Sequence, residues 1–189
     1  MDRTQTKHST NSNGWRIVRW GGAAALLTVP AIAMWMGAPG VDWTVSDFVV
    51  MGLLFALVLS AYEFIAARGR SLAYHAGAGL AVLAIFLLIW MNLAVGIIGS
   101  EDNPANGMFA GVISVAVGGM IVAHFHASAM VKAMVATAGA QALVGVIAVV
   151  GKLGTDGLAF PRDVIVLTTI FTGIWLTAAA LFAQAARRG

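Results

Sequence analysis

The sequence predicts an all-α polytopic transmembrane helix bundle of six spans with both termini cytoplasmic, and three observations carry that prediction. Of 189 residues, 60% are hydrophobic and 10% charged, against the roughly one quarter charged that is usual in a soluble domain. The mean hydropathy is +0.88. Six stretches are long enough to cross a hydrocarbon core about 30 Å thick at about 1.5 Å of rise per residue. With 11 basic and 8 acidic side chains, the chain cannot cover a soluble surface, which excludes a soluble enzyme, a nucleic-acid-binding module and a disordered linker. The net charge of +3 is read as topology information, not as a nucleic-acid partner.

Residues 1–19 read as a cytoplasmic N-terminal tail, with Met1 to Asn13 polar and unstructured. A single transmembrane domain is expected over 20–186, followed by a cytoplasmic end at 187–189. The first span, Trp20 to Met36, is bracketed by tryptophans at Trp20 and Trp35 that suit the two interfaces. Arg16 and Arg19 ahead of Ala31-Ile32-Ala33 also resemble a signal segment, and cleavage there would leave five spans. The continuing apolar run Met34-Trp35-Met36 and the long preceding tail argue against cleavage. The second span, Asp47 to Ala67, is expected to start at Ser46-Asp47, with Trp43 along the outer headgroups. The third runs Ser71 to Gly99. The fourth, Pro104 to His126, starts with a capping asparagine before a proline. The fifth runs Ser128 to Val150, and the sixth Asp163 to Ala186 after Phe160-Pro161.

Lysine and arginine fall unevenly between the two sides of these spans. Arg3, Lys7, Arg16, Arg19, Arg68, Arg70, Lys132, Arg187 and Arg188 share one side, and only Lys152 and Arg162 the other. The positive-inside rule therefore places both ends in the cytoplasm. Short loops suit a bacterial inner membrane. The absence of cysteine removes disulfides, thiolate metal sites and cysteine nucleophiles.

Small residues come next, because without a hydrophobic drive between helices it is close backbone approach that packs them. The fourth span carries Gly107/Gly111 and Ala110/Ser114/Gly118, and the fifth Ala129, Ala133, Ala136, Thr137, Ala140, Gly145 and Ala148. Both are read as packing faces, within the bundle or toward a homo-oligomer or another membrane protein.

Two polar groups are expected inside the bilayer, where an ionisable residue is costly and marks function by default. Glu63 and His75 lie roughly 7 to 8 Å inside the cytoplasmic boundary on adjacent spans, at one level with His124 and His126. Histidine and carboxylate can ligate a divalent metal, histidine can ligate haem, and the group could also relay protons. Against a shared metal, His124 and His126 are about 200° apart unless their helix has already ended. The alternative is that Glu63 pairs with Arg68 or Arg70 while the histidines mark the headgroup level. Nearer the midplane, Asn92, Gln141, Thr168 and Thr172 could form a neutral pocket for a small polar ligand, or bond between helices. Trp90 and Trp175 lie at comparable depth.

The loop from Gly99 to Asn106 is rich in oxygen-bearing side chains but matches no calcium-binding spacing, so capping and turn formation explain it. No Walker, HExxH, GxSxG or dinucleotide motif is present. The leading functional expectation is a non-enzymatic accessory, scaffold or assembly partner in a membrane complex. The alternatives are a membrane-embedded haem or metal redox protein, and a small-solute or proton transporter.

Overall fold

The computed structural model describes residues 6–155, 157 and 159–188, with side chains from Gly14 onward. It is helical, without strands among the described residues. The order is α1 (Thr6–Trp35), α2 (Val45–Ala66), α3 (Leu72–Ala94), a short 3₁₀ helix η1 (Pro104–Gly107), α4 (Met108–Val122), α5 (Ala127–Val150) and α6 (Arg162–Arg188). Six of these segments, η1 and α4 counting as one, are long and apolar enough to cross a membrane. The protein is an integral membrane helix bundle. It divides into two compact units, Met1–Ala61 and Tyr62–Gly189.

In the first unit, α1 begins well before Trp20. The polar segment from Thr6 onward is thus helical, and the rest of the expected tail lies outside the described residues. The start of α2 differs from the expected Ser46-Asp47 cap. Thr44 is the capping residue: its backbone N–H and its hydroxyl donate to one carboxylate oxygen of Asp47, at 2.7 and 2.8 Å. The Asp47 N–H returns to the Thr44 hydroxyl at 3.4 Å. This is a capping box, and Trp43 packs edge-on against Phe48 with centroids 5.2 Å apart, the apolar staple that accompanies such a box. Trp43 is thus accounted for by a helix start.

In the second unit, α6 packs against both α3 and α5, and α4 packs against α5. The α5–α6 contact depends on Gly145. A Cβ there would stand 2.5 Å from both Cγ2 and Oγ1 of Thr168, a β-branched side chain fixed on its helix. Only a residue without a side chain lets the two backbones come this close.

The small-residue faces divide. On α5, Ala133, Thr137, Gly145 and Ala148 are buried as expected. On α4 the expected face does not make the internal contact. Phe109, Val112, Ala116 and Met120 are its buried positions, and Gly119 meets Ala133 of α5. Ala110, Gly111 and Ser114 are exposed, and a Cβ at Gly107, Gly111 or Gly118 would meet nothing within 4 Å. The inward face carries Phe109 and Met120, whose burial outweighs what the glycines and alanines would bury, while Val115, Ile121 and Val122 stay exposed beside the small residues.

Helix α3 ends at Ala94, not at Gly99, and the chain then folds inward. Gly96 has φ +69°, and any Cβ on it would collide with the Ser100 carbonyl. Asn106 receives the turn: its Oδ1 accepts from the N–H groups of Ile97 and Ile98 at 3.0 and 2.8 Å. Its Nδ2 donates to the carbonyl oxygens of Ser100 and Ile98, at 2.7 and 3.3 Å. One buried side chain thus replaces the backbone bonds that a helix would have supplied. It holds Ile97 and Ile98, both essentially inaccessible, in a core with Leu88, Phe109, Val144, Val164 and Phe171. Asn103 caps η1 through the Ala105 N–H at 3.0 Å and reaches Leu153 in the α5–α6 connection at 2.7 Å.

Two outcomes follow for stability. Asn106→Ala orphans two buried N–H groups and should lower the unfolding free energy by about 2 to 4 kcal/mol, read as a reduced midpoint in detergent unfolding. Gly145→Ala should cost about 1 to 3 kcal/mol through overpacking. Gly139→Ala, where a Cβ meets open space, should gain about 0.5 to 1 kcal/mol from helix propensity. Equal effects at the two glycines would refute the close α5–α6 approach.

Candidate functional site

Two groups of polar side chains stand out in the second unit, and they are built differently. The first sits where α2 ends, α3 and α5 begin, and α6 closes. Helix α4 stops at Val122, four residues before the expected end, because His124 and Phe125 both take positive φ, +47° and +60°. Neither residue tolerates that conformation cheaply, and the surroundings hold it. The Tyr74 hydroxyl donates to the Phe125 carbonyl at 2.7 Å. Phe125 also packs edge-on against Phe64, centroids 5.3 Å apart. The guanidinium of Arg68 lies over the Phe64 ring at 3.3 Å and 4.7 Å from the Phe125 ring, with a further hydrogen bond to the Phe64 carbonyl. Stacking of this kind holds a cation by its charge and its flat face together.

Because α4 has ended, His124 and His126 sit on a turn, and the helical angle that would separate them no longer applies. Each has Nδ1 on a backbone carbonyl, of Val122 at 2.9 Å and of Ala123 at 3.3 Å. A carbonyl only accepts, so in each bond Nδ1 is the donor. Both rings line a hollow of about 600 Å³ with Arg68, Arg70, Ser71, Tyr74 and Arg188. Glu63 and His75 do not line it. Glu63 is half-buried near the end of α2, and His75 has Nε2 on the carbonyl oxygen of Gly69 at 2.8 Å. Among the described residues no three His, Asp or Glu side chains gather as a metal site. Of the four residues grouped by the sequence, His124 and His126 line the hollow, alongside three arginines.

The charged side chains of the hollow have one sign: three arginines line it and no carboxylate residue does. It is bordered by the first turn of α3, capped by Ser71 through the Tyr74 N–H at 3.2 Å, and by the first turn of α5. His126 precedes α5 without a side-chain capping bond. The N-termini of α3 and α5 add positive ends there and the C-termini of α2, α4 and α6 negative ones, so it is the arginines that set the sign. Sequence reasoning used Arg188 only for orientation, and Arg68 and Arg70 for orientation and as possible partners of Glu63. The signal available was their position at three helix ends.

The second group lies in the middle of the α5–α6 packing. Gln141 is fully buried, and neither its Oε1 nor its Nε2 has a hydrogen-bond partner. The same holds for Nε1 of fully buried Trp175 and for the hydroxyls of Thr168 and Thr172. The antiparallel register explains the grouping: Thr168 abuts Gly145, so one turn back along α5 and one turn forward along α6 bring Gln141 and Thr172 to one level. Other polar side chains bond within their own helices instead. Ser114, Thr137, Thr169 and Thr177 each donate to the carbonyl four residues before them. Asn92 does so through Nδ2, to Leu88 at 2.6 Å, while its Oδ1 is buried without a partner. Trp90 is exposed. The interhelical hydrogen bonds expected for Asn92, Gln141, Thr168 and Thr172 are therefore not the ones formed. Thr168 and Thr172 also line a groove of about 560 Å³ between α5 and α6, with Gly145, Val146, Val149 and Leu176 around them.

A buried carboxamide with both ends unpaired is costly. Gln141→Met, of similar length, should raise the unfolding free energy by about 1 to 2 kcal/mol. A loss of stability in calorimetry or detergent unfolding would show that the carboxamide is held by a bound molecule.

No protein-family model matches the chain, and no curated protein or solved structure shows significant similarity to it.

Proposed function

We propose that this integral membrane protein is a non-enzymatic accessory or assembly partner within a larger membrane complex, seated in a bacterial inner membrane with both termini cytoplasmic. The observation that carries the reading is the α4 face turned away from the bundle. Ala110, Gly111 and Ser114 are exposed there, and Gly107, Gly111 and Gly118 have open space where a side chain would stand. Such a face lets a second backbone approach closely, and that is how helices associate in lipid. The Ser114 hydroxyl is turned onto the Ala110 carbonyl at 2.8 Å, so the face offers van der Waals contact and asks for no polar partner. The occupant is a transmembrane helix of another copy or of another membrane protein. The orientation is supported by the nine basic residues on one side of the spans against two on the other.

Substituting Gly111 and Gly118 together by leucine should weaken association by about 1 to 3 kcal/mol and leave the fold intact, since neither position touches the core. The check is the mass of the particle after solubilisation of native membranes in mild detergent. The wild-type chain should run in a particle larger than its monomer and the double variant should shift to the monomer. A monomeric wild type, or a variant that runs as wild type does, overturns the reading.

A further inference from the structure

We infer that the hollow lined by Arg68, Arg70, Arg188, His124 and His126 is a binding site for the phosphate of an anionic phospholipid headgroup. Its volume, about 600 Å³, admits a phosphodiester with its glycerol. Its lining supplies three arginines, whose planar forks match phosphate oxygens, together with the Ser71 hydroxyl. No carboxylate among the lining residues competes for those cations. Arg68 is already fixed over two phenyl rings, so part of the ordering cost of binding is met before a ligand arrives.

A lipid is favoured over a soluble phosphate by what surrounds the rim. Each helix that borders the hollow is a candidate membrane span, which puts the charges at the depth of headgroups. Immediately beside them, Leu72 and Val122 are 84% and 79% exposed, and Phe64 is more than half exposed. These apolar side chains stand where acyl chains leave a headgroup seated among the arginines. A soluble anion has no use for them. This site is separate from the α4 face, and either can fail without the other.

The test uses the full chain in a non-ionic detergent, titrated with phosphatidylglycerol or phosphatidylcholine and read by native mass spectrometry. Phosphatidylglycerol should be retained in preference, as a single tightest-bound lipid. Arg70→Gln and Arg188→Gln, at exposed positions, should each weaken its retention about fivefold and together roughly twenty-five-fold. Lys132→Gln removes the same charge from an exposed site on α5 outside the hollow and should leave retention unchanged. Equal retention of the two lipids overturns the proposal, as does a Lys132→Gln effect equal to that of Arg70→Gln, which would indicate diffuse surface charge. Displacement of the lipid by inorganic phosphate at equal concentration also overturns it, in favour of a soluble-anion site.

Discussion

Lipid offers no hydrogen bonds, and most of the local structure of this protein is an answer to that constraint. A backbone group that leaves a helix inside the bilayer must find another partner at once, or several kcal/mol are lost. The chain after α3 shows the answer at its sharpest, because Ile97 and Ile98 are buried without being helical. Asn106 satisfies both of their N–H groups. The hydroxyls of Ser114, Thr137, Thr169 and Thr177 answer the same demand by turning back on their own helices. Against that background Gln141, Thr168, Thr172 and Trp175 form the main group of unpaired buried polar atoms among the described residues, with Asn92 Oδ1 a further one on α3.

Geometry separates the two ends of the bundle by chemistry. Where η1 sits, polar side chains are consumed in holding the chain, as Asn103 and Asn106 are. At the other end, three arginines line a hollow that no carboxylate residue lines. Hydrogen-bonding side chains matched internally build structure, and those left over can recognise something else. That difference makes Asn103 and Asn106 part of the architecture, and it is the ground on which the Arg/His end is proposed as a binding site.

The spans were legible because twenty apolar residues in a row have few alternatives. What stayed hidden depended on contacts between segments distant in sequence. The early end of α3 needed Asn106, a residue that looks like any loop asparagine until it is seen bonded to Ile97 and Ile98. The end of α4 needed Tyr74, 51 positions away from the carbonyl it binds. The α4 glycines and alanines have helical spacing on an apolar span, and spacing alone does not say which of two faces meets the bundle. Arg68, Arg70 and Arg188 were visible as charges, but only the fold brings three helix ends around one hollow.

The inward fold of residues 95–106 also decides what fills one end of the second unit. Leu88, Ile97, Ile98 and Phe109 pack together there, so the space is taken by apolar side chains and not by water. The groove between α5 and α6 is walled by aliphatic side chains, glycines and three threonines. Both helices that form it are long and apolar enough to span a membrane, so what such a groove meets first is oil.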